Sequence, residues 1–246
     1  MQRLAPCLFA AAVLFPLADL QADETSELQS VIEKSVEAAG GLENLERAQK
    51  HRGREEGTFH GVGDGMPFTA VFASDPPNRF RIDIHGVLTT VVTPAQGWVN
   101  LRGTTQPMNK EQLQEQLEEQ YIGWVVSLVP LVKQKDRFKL SSIEGEQVDG
   151  RETIGIEVAS EGHRNVKLFI DKETHDLLKA RYKVKSLEQG LAEVDQELIV
   201  KKHMDVAGAK LPSEMVILRD GQKYVEAKIT EIEPVQEFAD AVFAKP

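Results

Sequence analysis

The sequence predicts a mainly β, α+β protein: a large curved antiparallel sheet forming an incomplete half-barrel, with an N-terminal helix and an inserted helical lid. Three observations lead there. Most of the chain is short segments of period-two alternation separated by tight-turn residues. One stripe of helical spacing precedes them. One long interruption, Asn109–Lys133, divides them.

The helical stripe is Leu28, Val31, Ile32, Val36 and Ala39, three or four residues apart among Glu and Lys, ended by Gly40-Gly41. From Gln49 onward the period is two. Phe80, Ile82 and Ile84 alternate with Arg79, Arg81 and Asp83, giving one apolar and one charged face. Comparable strands are expected at Met66–Ser74, Val87–Thr93, Gly97–Leu101, Phe138–Glu144, Thr153–Ala159, Val166–Ile170, Leu177–Val184, Val194–His203, Met215–Arg219 and Tyr224–Ile232. Gly63-Asp64-Gly65, Asp75-Pro76-Pro77-Asn78, Asp149-Gly150 and Asp220-Gly221 supply turns. Such short connections imply antiparallel neighbours, because a parallel pair needs a crossover of about a dozen residues or more.

The interruption has two halves. Lys110–Gln120 is rich in Glu, Gln, Lys and Leu and is strongly helix-forming. Trp124–Val132 is too apolar to lie in water and must cover something; Pro130 within it predicts a kinked helix suited to a movable lid. With no Ser/Gly/Pro linker, repeat or composition shift, residues 23–246 read as one domain.

Residues 1–22 read as a signal peptide. Arg3 is followed by an uncharged apolar run, Leu4–Ala18, interrupted by two prolines and then by Asp19, Asp23 and Glu24. The run is short of the roughly 20 apolar residues that a span needs. Cleavage after Ala22 is expected, with export to the periplasm. The single cysteine, Cys7, lies inside this run, so the exported chain would hold no disulfide. More than two hundred residues then remain, enough to hold one core without staples, since chains of that size bury roughly 70% of their unfolded surface. A net charge of −10 argues against nucleic acid or an anionic membrane as partner.

At this point several segments resemble a known family. Phe72–Ile82, containing Asp75-Pro76-Pro77-Asn78-Arg79-Phe80-Arg81, is similar to the strand and Pro-x-x-Phe/Leu-Arg step of periplasmic lipoprotein carriers of the LolA type. Thr89–Val99 resembles their following hairpin with its tryptophan, here Trp98. Lys167–Leu178 resembles a hairpin of the broader outer-membrane lipoprotein-sorting superfamily, and Ala38–Leu45 and Asp240–Pro246 resemble segments of stand-alone and protease-fused members. The resemblance implies an incomplete antiparallel barrel with helices over its mouth, enclosing a hydrophobic cavity.

The search for chemistry yields no catalytic, metal or cofactor site. The six histidines, His51, His60, His85, His163, His175 and His203, show neither HExxH nor His-x-His spacing. There is no G-x-S-x-G elbow, phosphate-binding loop or dinucleotide fingerprint, and Gly61–Gly65 lies between strands, where a hairpin turn is expected. The positive signal is apolar. Phe68, Phe80, Ile82, Trp98, Trp124 and Leu128 are the expected ligand-contacting set, Trp124 and Leu128 sharing one helix face. Filling a solid core is the competing role for these side chains; a half-barrel of this size leaves room for a ligand where side chains run out. The expectation is a non-enzymatic periplasmic carrier, monomeric, for a lipid, acyl chain or lipoprotein. The alternative is an envelope interaction or sensor module presenting its sheet to a protein partner.

Overall fold

A computed structural model describes residues 17–61, 63–186 and 189–246. Most of the expected signal segment, and Cys7 with it, lies outside the described residues; the residues on either side of the expected cleavage point fall inside the first helix.

That helix, α1 (Leu17–Ala38), packs through Leu28, Ile32 and Val36, four residues apart and each almost fully buried. It ends as the glycine pair requires. Gly41 N–H donates to Val36 O at 2.9 Å and Gly40 N–H to Glu37 O at 3.0 Å, the two bonds of a Schellman cap, with Gly40 at φ 101°. A Cβ on Gly40 would stand 2.0 Å from Gly208 O, so glycine is needed for close approach as well as for the turn. A second short helix, α2 (Leu42–Gln49), follows and buries Leu45 and Ala48.

The first half of the sheet is a meander of β1 (His51–Phe59), β2 (Met66–Asp75), β3 (Arg79–Ile84), β4 (Leu88–Val92), β5 (Gly97–Leu101) and β6 (Thr104–Pro107). Two helices interrupt it, α3 (Lys110–Val126) and α4 (Val129–Lys133). The second half comprises β7 (Lys139–Ile143), β8 (Gln147–Val148), β9 (Arg151–Ala159), β10 (Val166–Asp171), β11 (Leu177–Ser186), β12 (Ala192–Val206), β13 (Ala209–Arg219) and β14 (Gln222–Pro234). All join one antiparallel sheet in the order β6-β5-β4-β3-β2-β1-β14-β13-β12-β11-β10-β9-β7, with β8 beside β9. The sheet does not close on itself, so the architecture is the expected open half-barrel. First and last strands meet at its centre, His51 opposite Pro234 and Phe59 opposite Val225, with a bulge between Arg54 and Glu55.

Helices α1, α2, α3 and α4 cover one face of the sheet, here the inner face. The main core lies between them and the second half of the sheet: Ile32, Ile122, Val125 and Leu131 meet Ile156, Val166, Leu168 and Ile170, all at most 1% exposed. Each such side chain contributes about 1.5–3 kcal/mol by leaving water. A smaller core lies on the outer face, where Phe238 and Phe243 of the C-terminal segment cover Ala73, Val91 and Trp98.

The inserted segment departs from a single kinked helix. Asn109 caps α3 in a capping box: Gln112 N–H donates to Asn109 Oδ1 and Asn109 N–H to Gln112 Oε1, both at 2.9 Å. The chain then breaks at Leu128, whose φ of 65° lies in the left-handed region, and restarts as α4. Pro130 sits in the first turn of α4, where its missing N–H has no helical acceptor to lose, so the break is at Leu128 and not at the proline.

Side-chain bonds tie α3 down along one side. Glu115 Oε1 and Oε2 accept from Arg164 at 2.7 and 2.6 Å, and Glu115 also accepts the Lys185 N–H at 2.7 Å. Three residues on, Glu118 accepts the Arg164 N–H and pairs with His163 Nδ1, both at 2.8 Å. Tyr121 bonds Ser160 Oγ at 2.7 Å and stacks on His163 at 3.4 Å. One side of α3 is thereby fastened to the loop between β9 and β10 and to β11.

Candidate functional site: a cavity between sheet and helices

Under the helices the inner face of β1, β12, β13 and β14 is not fully packed. A cavity of about 300 Å³ remains, at the lower end of the range typical of small-molecule sites. Its floor includes Met215, Ile229 and Ile232; its roof includes Leu45 and Ala48 of α2, Trp124 and Val126 of α3, Leu128, and Val129 of α4. The break at Leu128 shapes the roof, because the left-handed turn carries the chain back over the sheet while keeping the Leu128 side chain buried.

Few polar groups reach this space. His51 is held by its own turn: Nδ1 lies 2.9 Å from Ala48 O and 3.0 Å from Gln49 O, which makes it the protonated nitrogen, since carbonyls only accept. Burial pulls its pKa below the ordinary histidine value despite those two bonds, so the ring is neutral at pH 7. Its edge meets Phe72 at 5.7 Å. Ser127 Oγ donates to Trp124 O at 2.6 Å, and Gln49 Nε2 reaches Ser127 Oγ at 3.5 Å. Ser35 Oγ, on α1, has no hydrogen-bond partner among the described residues.

Charge enters in one group. Lys210 Nζ donates to Asp176 Oδ1 at 2.5 Å, and Thr174 Oγ1 donates to Asp176 Oδ2 at 3.0 Å. Burial alone would raise the Asp176 pKa, but these two bonds and the Lys210 charge outweigh it and hold the carboxyl below its usual range. His203, beside them, is lowered by burial and by Lys210. An apolar chamber with one charged group on its wall suits a molecule that is mostly hydrocarbon with a single polar end.

The sequence-predicted set divides. Trp124 and Leu128 both line the cavity, although the break between them removes the shared helix face. Phe68, Phe80 and Ile82 do not line it. Their pairing, Phe68 opposite Gly57, Phe80 opposite Ser74 and Ile82 opposite Phe72, puts them on the same inner face but farther out in the first half of the sheet. Trp98 is on the outer face, opposite Val91 and against the C-terminal phenylalanines. Ser35, His51, Met215, Ile229 and Ile232 are cavity residues that sequence reasoning did not single out. The last three sit in or beside predicted strands, but alternation alone does not say which part of a long strand lies under a roof.

Among the described residues no group of three or more His, Cys, Asp or Glu side chains could hold a metal ion, and no helix is long and apolar enough to cross a membrane.

No protein-family model and no curated protein sequence matches this chain. Solved structures do. A LolA superfamily protein from Nitrosomonas europaea superposes with a TM-score of 0.56 at 10% identity over 88% of this chain and 97% of its own. A DUF1329 family protein from Desulfovibrio piger gives 0.56 at 12% identity over 88% and 96%. A candidate outer membrane lipoprotein-sorting protein domain from Vibrio parahaemolyticus gives 0.50 at 8% identity over 87% and 95%. At such low identity the likeness concerns architecture alone: this chain has the LolA-like fold.

Proposed function

We propose that this protein is a periplasmic, non-enzymatic carrier that holds an apolar ligand, a lipid or the acyl chains of a lipoprotein, between its sheet and its helical roof. The observation that carries the reading is the cavity itself: aliphatic floor, Trp124 and Leu128 in the roof, and one charged group, Asp176 with Lys210 and His203, on its wall. The fold shared with LolA superfamily structures and the expected signal peptide support the compartment and the class of ligand.

The test is native mass spectrometry of full-length protein purified from the envelope of its own source, followed by lipid extraction. A co-purifying lipid at near one per chain is expected. Protein that arrives lipid-free, and that fails to bind a fluorescent fatty acid, would refute the reading. A stoichiometric protein partner in place of lipid would favour the interaction-module alternative, for which the outer-face groove between Arg52, Arg54, Arg81, Phe238 and Val242 is the available surface.

A further inference from the structure

The cavity reading leaves one atom unexplained. Ser35 is 2% exposed, lies on α1 between the buried Ile32 and Val36, and lines the cavity. Its Oγ is the buried side-chain polar atom with no hydrogen-bond partner among the described residues. Among the other polar groups that line the cavity, His51, Ser127 and Gln49 are each bonded to the protein. A buried hydroxyl without a partner destabilises a fold, and serine is a poorer helix residue than alanine, so on stability alone alanine is the better residue at this position.

We propose that the Ser35 hydroxyl donates a hydrogen bond to a carbonyl oxygen of the bound molecule, so that the cavity takes acyl chains joined through an ester or amide rather than plain hydrocarbon. This rests on the apolar-ligand reading and narrows it. Ser35 is itself uncharged and stands between the buried Ile32 and Val36, whereas the charged wall of the cavity, Lys210 with Asp176 and His203, suits a polar head group. What suits Ser35 is a neutral acceptor flanked by hydrocarbon. In an acyl lipid that is the carbonyl of the linkage.

The experiment uses the full chain and two probes of one chain length, 1-lauroyl glycerol and its ether counterpart 1-O-dodecyl glycerol, which lacks only the carbonyl. Titration calorimetry below micellar concentration is expected to show the ester binding about fivefold more tightly than the ether, the effect of one net hydrogen bond. Ser35→Ala should bind ester and ether alike and melt no lower than wild type. Ser35→Thr, which keeps the hydroxyl, should restore the preference. Equal binding of both probes by wild type, or a preference that survives in Ser35→Ala, would overturn the role of Ser35 while leaving the cavity reading standing. Binding of neither probe would overturn the cavity reading and this proposal with it.

Discussion

Replacing Glu115 by alanine asks whether the roof is bolted down. The residue is 3% exposed and its carboxylate accepts three hydrogen bonds, two from Arg164 and one from the Lys185 N–H. After truncation Arg164 keeps its bond to Lys183 O at 3.2 Å, and the Lys185 N–H is orphaned. Removing one partner of a buried ion pair costs about 3–5 kcal/mol. The Arg164 side chain is 23% exposed, so water recovers part of this and a loss of roughly 2–4 kcal/mol is expected. For a chain of this size that lowers the melting temperature by about 5–15 °C. Circular dichroism melts of wild type, Glu115→Ala, Arg164→Met and the double variant measure both the loss and the coupling. If Glu115→Ala melts within 2 °C of wild type, or the two losses simply add, the bidentate pair does not hold α3 and the anchored-roof description fails.

Met215→Trp should fill the cavity from its floor, lowering fluorescent fatty-acid affinity at least tenfold while shifting the melting temperature little, because the ring enters space already present; retained affinity would place the ligand elsewhere. Burial holds Glu55 above the usual carboxylate range, so its ionised form opposes folding: stability falls as pH rises from the unfolded value near 4.3 through the raised folded value, and the deficit persists at neutrality. Glu55→Gln should therefore be more stable than wild type at pH 7, with the gap closing below about pH 4, and a gap independent of pH in melting curves would refute this. Phe243 is 3% exposed, stands edge-on to Phe238 at 5.2 Å and lies under Arg79 at 4.7 Å. Phe243→Ala should cost about 3 kcal/mol and open the C-terminal segment to limited proteolysis while leaving fatty-acid binding unchanged.

Where apolar residues alternated, the sequence placed strands well; Gly97–Leu101 agrees end to end. β1 was not delimited because its own residues carry almost no apolar signal. Its inner-face positions Gly53 and Gly57 have no side chain, and the rings of Phe72 and Phe68 from β2 lie over them, so the hydrophobic surface of β1 is lent by its neighbour. The helical segment was legible as apolar and covering, and its start by the helix-forming run from Lys110, but its break was not: nothing about a leucine signals a left-handed backbone, whereas Pro130 signals a kink that is not there. Trp98 shows why an aromatic residue does not declare its face. Val91 and Val92 are both fully buried, on opposite sides of β4, because both faces of the sheet carry a core at this point. The cavity drew least from sequence, being a gap among residues from four helices and several strands that only their packing defines.

The sheet order has a consequence for how the molecule assembles. Every neighbour pair except one joins strands close along the chain, so each meander can form from local contacts. The exception is the seam between β1 and β14, where residue 51 must find residue 234. Closing so long a loop is entropically slow, and until it closes each half presents an unpaired central strand to any other chain nearby. The seam also runs beneath the cavity through Ile229 and Ile232. Completion of the fold and creation of the cavity are thus one event, and a molecule truncated before β14 would keep the other strands of both meanders yet own neither a joined sheet nor a complete floor.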